Sequence, residues 1–288
     1  MKLTIFTPTY NRAHLLHQLF YSLEKQAIKD FEWLIVDDGS EDNTAKIVEE
    51  FQQKADFTIR YIFQKNQGKH IAINTGVSHT TTPYFLCVDS DDEVVQGANE
   101  KINSAYAEWE DEEKIAAVAF PRFSPKEQKM KTNKKILFDK DVLNTFELNK
   151  KYNLFGEFDY VFKTEVLKKY SFPYFEGEKF IKESLVLNRI SLNYKYLYIN
   201  TAIVQGEYLE DGLSSDFRHL LEKSPKGAAL AYLEIINNNN KLSFNERKDA
   251  FRNYWYFENL AKNHSFWERI MRVKKKNVIF YFILQKLK

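Results

Sequence analysis

Four short apolar runs, Leu3–Phe6, Phe31–Val36, Phe57–Phe63 and Pro83–Cys87, are separated by stretches of helical periodicity, and each run ends in a polar cluster. Nothing else in the chain narrows its architecture as far. Within Ala13–Gln26, Leu15, Leu16, Leu19, Phe20 and Leu23 recur at helical spacing. Thr44–Phe51 reads as a second helix, and a third carries Ala72, Asn74 and Gly76. Phe31–Val36 is almost continuously apolar, as a strand covered on both faces should be. Strands alternating with helices through short loops predict an α/β fold with a mostly parallel central sheet flanked by helices. Such sheets bind their ligands beyond the carboxyl ends of the strands. The clusters Thr7–Arg12, Asp37–Ser40, Lys65–Lys69 and Asp89–Asp92 all fall at that edge.

The last cluster carries the most chemistry. Asp89, Asp91 and Asp92 leave one strand end together, where carboxylates repel one another and are costly to desolvate. A divalent cation resolves both problems. Mn2+ or Mg2+ prefers oxygen ligands and keeps positions open for substrate phosphates. Composition closes other routes. A net charge of +2 over 288 residues argues against a polyanion binder, so no nucleic acid is expected as partner. The single cysteine, Cys87, excludes an intramolecular disulfide, suits a reducing compartment and reads as core. Met1–Ile5 runs straight into structure with no signal peptide, and no apolar run reaches the ~18 residues of a membrane span. His14, His17, His70, His79, His219 and His264 lack metal-ligand spacing, and no G-x-G-x-x-G occurs, which argues against a dinucleotide oxidoreductase.

Thr7-Pro8-Thr9-Tyr10-Asn11-Arg12, Trp33–Ser40 with Thr44, Asn66-Gln67-Gly68, Asn74 with Gly76, and Asp89-Ser90-Asp91-Asp92 resemble, in order and spacing, the family 2 glycosyltransferases. The resemblance covers the first hundred residues. It implies the GT-A nucleotide-sugar-binding fold and an inverting, metal-dependent transfer. The group moved would be a hexose or N-acetylhexosamine, from a nucleotide sugar (a UDP-sugar by expectation). The acceptor would be a hydroxyl of a growing surface glycan or lipid-linked saccharide. On this sequence the resemblance puts Pro8, Thr9, Tyr10 and Arg12 around base and ribose. Asp37 and Asp38 would meet the base, Asp38 accepting from a pyrimidine imide N–H. Lys65 and Lys69 would face base or diphosphate, with Asn66, Gly68 and Asn74 completing the donor site. Asp89, beside Ser90, would bond ribose or sugar hydroxyls. Asp91 would ligate the metal, with Asp92 the alternate ligand. The rivals are a nucleotidyltransferase, which needs a glycine-rich loop where Thr7–Arg12 has none, and an inactive nucleotide-sugar-binding or membrane-scaffold protein.

Further on, Ala98–Trp109 reads as a helix and Ile115–Phe120 as a strand. Pro121–Lys135, with Arg122 and Lys131, reads as a basic solvated loop or a flexible cover over the site. Glu157 or Asp159 is a candidate for acceptor hydroxyls. Relatives carry an acidic pair opening a helix, with arginine six residues after the second acid. Here Glu183 lies six before Arg189, and Lys182 replaces the first acid. Glu183 is the candidate general base and Glu178 the alternative. Tyr194–Val204 reads as a closing strand. The resemblance implies a histidine hereabouts that completes the metal shell or touches the diphosphate; it is missing, leaving Glu207, Glu210, Asp211 or water. A core at 1–216 is expected, with a nucleotide-binding half (1–97) and an acceptor-binding half (98–216). A helical C-terminal extension, 217–288, follows with helices over Phe217–Ser243 and Glu246–Ala261. Residues 269–288 carry seven basic and no acidic residues around Val278–Leu284. They read either as a segment at the interface of an anionic membrane, removable without unfolding the rest, or as a last helix packed on the core with a solvated basic face. The expected location is cytoplasmic, or peripheral on the cytoplasmic face of the inner membrane.

Overall fold

The computed structural model describes residues 2–208, 216–238 and 242–274. The elements run β1 (Leu3–Thr9), α1 (Leu16–Glu24), β2 (Phe31–Asp37), α2 (Thr44–Lys54), β3 (Thr58–Phe63), α3 (Lys69–His79) and β4 (Tyr84–Cys87). Then come β5 (Glu93–Val94), α4 (Ala98–Trp109), β6 (Ile115–Pro121), β7 (Phe123–Ser124), β8 (Lys129–Met130), β9 (Lys140–Leu143) and α5 (Thr145–Tyr152). β10 (Phe158–Lys163), α6 (Thr164–Leu167), α7 (Ser184–Ile190), β11 (Lys195–Ile199) and β12 (Val204–Gln205) complete the sheets. α8 (Phe217–Lys223), α9 (Pro225–Asn238), α10 (Phe244–Ala261) and α11 (Phe266–Arg272) form the extension.

The central sheet has the order β3-β2-β1-β4-β10-β6-β11-β9. β3, β2, β1 and β4 are mutually parallel, and β6 and β11 point the same way. Only β10 and β9 run against them. One rim therefore collects the carboxyl ends of β1, β2, β3, β4 and β6 and the amino end of β10. Successive strand residues alternate between two cores, as the pleat requires. Ile5, Trp33, Ile35 and Leu86 meet α1, α2 and α4, where Phe20 stacks on Phe51 at 4.2 Å between centroids. Phe6, Leu34, Val36 and Phe85 face α3 and α7. Gly76 permits the close approach of α3, because a Cβ there would lie 2.3 Å from the Phe6 ring.

Two expectations need correction here. Tyr194–Val204 is not one strand: β11 joins the large sheet and β12 a small one of order β5-β12-β7-β8. Pro121–Lys135 is not a solvated loop. Phe123 and Ser124 pair antiparallel with Met130 and Lys129, and Thr132 bridges to Gly156. This ribbon lies beside the rim.

The extension packs its own core, including Leu221, Leu233, Phe251, Tyr254, Phe257, Ile270 and Val273. Its first helix is broken at Ser224-Pro225, where proline starts α9. It is also tied to the sheet. Ala231 joins the α3/α7 core, and Arg189 on α7 grips Glu234 on α9 through Nη2 at 2.7 Å and Nε at 3.0 Å. Arg269 and Arg272 turn inward to the buried Glu258, with Arg272 Nη1 2.7 Å from Oε1. The remaining basic residues of the tail, apart from Lys274, lie outside the described residues. Among the described residues no helix is long and apolar enough to cross a membrane.

Candidate active site

The turns after β1, β2 and β3 are knitted together by their own polar side chains. Asp37 Oδ1 accepts from Ser40 N at 2.7 Å and Oδ2 from the Tyr61 hydroxyl at 2.6 Å. Asp38 Oδ1 accepts from Gln64 Nε2 at 2.7 Å and Gln67 N at 2.9 Å, and Oδ2 from Gly68 N at 2.7 Å. A carboxylate offers about four acceptor positions, so one on Asp38 Oδ2 is left. Asn11, at φ 52°, donates its N–H to Ser40 Oγ and accepts from Glu41 N, both at 2.8 Å. Gly68 adopts φ +94°, and a Cβ there would sit 2.0 Å from the Lys179 carbonyl oxygen. Only glycine fits where this loop meets the 179 segment. Pro8, Thr9 and Ser90 are buried, Arg12 is half-buried, and Tyr10 and Lys65 are exposed. Thr9 Oγ1 and Asn66 Oδ1 are buried and find no hydrogen-bond partner among the described residues. Buried polar atoms of this kind call for a ligand or water.

Lys69 opens α3 and joins the turn after β4 to the start of α7. Its Nζ lies 2.7 Å from Asp89 Oδ1 and 2.7 Å from Glu183 Oε1. Glu183, immediately before α7, keeps half its side chain exposed. Arg122 follows β6 and enters the cluster from the opposite side. Its Nη1 is 2.7 Å from Asp92 Oδ2, and its Nη2 and Nε are 2.6 and 3.1 Å from Asp159 Oδ1. Glu157 and Asp89 lie further out, at 3.8 and 4.0 Å from Nη1.

These partners sort the aspartates. Burial alone would raise Asp89, but the Lys69 ammonium and then Arg122 outweigh it and hold that carboxyl below the usual range. Burial, and after it the Asp89 charge, raises Asp91. Burial also raises Asp92; Arg122 opposes that rise, while Asp89, Asp91 and Asp159 add to it. Carboxylate oxygens of Asp89, Asp91 and Asp92 lie within 4.8 Å of one another. Asp91 alone of the three has no cationic side chain within ion-pair distance among the described residues. An all-oxygen donor set with one uncompensated member fits a hard divalent cation.

Several expected residues stand elsewhere. The Asn74 amide does not face the rim: Nδ2 donates to the Phe172 carbonyl and Oδ1 accepts from its N–H, both at 2.9 Å, bracing α3. Asp159 is buried under Arg122 and cannot meet an acceptor, whereas Glu157 is partly exposed and accepts from the Tyr208 hydroxyl. Glu178 is not free to act as a base. It is buried, and its oxygens accept from Lys226 N at 2.8 Å and Gly227 N at 2.9 Å, at the start of α9. Lys182, in the place of the first acid, donates to the Tyr232 hydroxyl at 3.0 Å and lies over that ring. Glu207 grips Ser124 and the Lys126 N–H instead of joining the aspartates. Glu210 and Asp211 lie outside the described residues. Arg122 is the residue that the sequence reading missed; its signal was its place just after an apolar strand, the same signal that marked Asp89.

The model of the family described as "Glycosyl transferase family 2" matches residues 4–173. The chain belongs to this family. A relative of this transferase is the Campylobacter jejuni GalNAc(5)-diNAcBac-PP-undecaprenol beta-1,3-glucosyltransferase, 35% identical over 112 residues, or 37% of this chain. The match spans 36% of that relative's own length. Among solved structures, S. aureus TarS 1–349 in complex with UDP-GlcNAc superposes with TM-score 0.63 at 18% identity, over 96% of this chain and 83% of that one. Mannosyltransferase PcManGT from Pyrobaculum calidifontis, in complex with GDP-Man and Mn2+, superposes with TM-score 0.56 at 16% identity, over 99% and 80%. The GT-A fold of this transferase agrees with both. Family membership closes the nucleotidyltransferase reading.

Proposed function

We propose that this transferase moves a hexose or N-acetylhexosamine from a UDP-sugar onto a hydroxyl of a growing surface glycan or lipid-linked saccharide, with inversion and with help from Mn2+ or Mg2+. The observation that carries this reading is the Lys69 ammonium, which unites Asp89 on the donor side with Glu183 on the acceptor side. The acceptor oxygen attacks the anomeric carbon as the bond to the diphosphate breaks, and its proton passes to Glu183. The half-exposed carboxylate of Glu183 is open to an incoming hydroxyl, as a base must be. The remaining acceptor position of Asp38 suits an imide N–H, while Thr9 and Asn66 supply unfilled polar atoms nearby. Arg12, Tyr10 and Lys65 would flank the nucleotide. Asp91, with Asp89, would hold the cation, which supplies positive charge to offset that developing on the leaving diphosphate. The UDP-GlcNAc in TarS and the undecaprenol-linked substrate in the relative's name support the choice of donor and acceptor class.

The acid-free, basic sequence of 269–288 supports peripheral contact at the cytoplasmic face, where a lipid-linked acceptor would be met. Since Arg269 and Arg272 serve Glu258, that contact falls to Lys274 and the residues after it. The test of function is a thermal-shift screen with Mn2+ across nucleoside diphosphates and their sugars. UDP and one UDP-sugar should raise the melting temperature. Stabilisation by GDP alone would overturn the uridine donor, and none by any nucleotide would overturn the reading.

A further inference from the structure

Asp92 is fixed from two sides. Arg122 Nη1 lies 2.7 Å from its Oδ2, and the backbone of Gly206, at the end of β12, presses on its Oδ1 so closely that a Cβ at 206 would come within 1.8 Å. The side chain is 4% exposed. Arg122 is itself anchored by Asp159, which β10 places at the same rim. A guanidinium does not deprotonate in a protein, so it is a permanent cation on that carboxylate. A metal ion approaching Asp92 would meet a like charge on one oxygen and the Gly206 backbone on the other, whereas Asp89 is paired closely through Oδ1 alone and keeps 29% of its side chain exposed. Asp91 carries no such partner among the described residues.

We infer that Arg122 is a positioning residue that withholds Asp92 from the metal, leaving Asp91 with Asp89 to carry it. This rests on the metal reading above and narrows it. Arg122 braces the Asp-Ser-Asp-Asp turn by joining Asp92 to Asp159. The residue acts through the aspartates that it pairs with.

The test is binding of Mn2+ alone to the full chain, read by water-proton relaxation, with circular dichroism to confirm folding. D91N should weaken Mn2+ binding by about tenfold or more, while D92N should stay within about twofold of the parent. R122M should bind Mn2+ at least about threefold more tightly, since a positive charge is lost and Asp92 released. Adding D92N to R122M should abolish that gain, and R122K should restore parental affinity. A purely structural arginine would instead cost Mn2+ binding on replacement. The inference is overturned if D92N weakens binding as D91N does. Should R122M not fold, that pair of single variants decides alone. If neither the parent nor R122M binds Mn2+, the metal reading of the site fails and the inference with it; if the parent binds Mn2+ and R122M binds it no more tightly, the inference alone ends.

Discussion

In the proposed mechanism Asp91 serves the leaving group and Glu183 the nucleophile, so their substitutions should fail differently. Asp91→Ala should leave the fold intact and abolish both transfer and the Mn2+ dependence of nucleotide binding; transfer near the normal rate would show the cation resting elsewhere. Glu183→Gln keeps the shape and loses the proton acceptor. It should retain donor affinity while turnover falls by about 10²–10⁴-fold. The sequence pointed to these candidates in two ways: Asp91 follows the end of an apolar strand, and Glu183 lies six residues before Arg189, the spacing that the resemblance implies. The strand-end rule applied past Phe120 would have flagged Arg122. The run of lysines behind it disguised it as surface charge, and only pairing β6 beside β10 shows that it faces Asp159. Asn74 misled for the opposite reason. Its place in a recognised pattern said nothing of which backbone its amide would meet.

At the scale of elements, β1 to β4 and their helices could be read because hydrophobic periodicity is local. The reversed direction of β10 and the split of β11 from β12 could not, since both depend on partners far along the chain. Glu178 shows how such a partner changes a residue's meaning. From sequence it is a spare acid near a candidate base; in the fold it holds the first N–H groups of α9, where a carboxylate is favoured by the helix dipole. Glu178→Ala should therefore cost stability, by about 3 kcal/mol for two lost charge-assisted bonds at a buried site. Transfer per folded molecule should persist. Urea unfolding alongside a single-turnover assay separates the two, and loss of turnover at unchanged stability would return Glu178 to the list of bases.

Two properties belong to the molecule as a whole. His70 is 2% exposed beneath the Gly68–Lys179 contact, and burial lowers it to about 4 from its ordinary 6.5. Above pH 6.5 it is neutral folded and unfolded, and contributes nothing to pH dependence. As pH falls from 6.5 towards 4 the unfolded chain takes up the proton first, so stability drops, by at most about 3 kcal/mol. Chemical denaturation of parent and His70→Phe at pH 7.5 and 4.5 should show a smaller loss in the variant. Equal losses would mean that the ring is not what titrates.

The extension supplies the second property. Of the two readings that the sequence offers for the tail, a removable membrane-facing segment or a helix packed on the core, the second describes its first turns. Ile270 and Val273 are buried among Tyr254, Phe257 and Leu233, and Arg269 and Arg272 surround a Glu258 that is 1% exposed. Ending the chain at 268 would open that core, at about 1.5–3 kcal/mol for each apolar side chain, and leave the buried Glu258 carboxylate with His264 in place of its two arginines. Because α9 is bolted to α7 through Arg189 and Glu234, loosening the extension would also disturb the helix that presents Glu183. A chain ending at 274 keeps every one of these contacts. It should melt within a degree or two of the full chain, roughly, while the shorter one melts well below it. Vesicle sedimentation of the 274 form against the full chain then isolates the tail's affinity for anionic lipid. Release of the shortened protein with transfer to a soluble acceptor intact would place the membrane contact beyond Lys274. Undiminished pelleting would move it onto the folded surface.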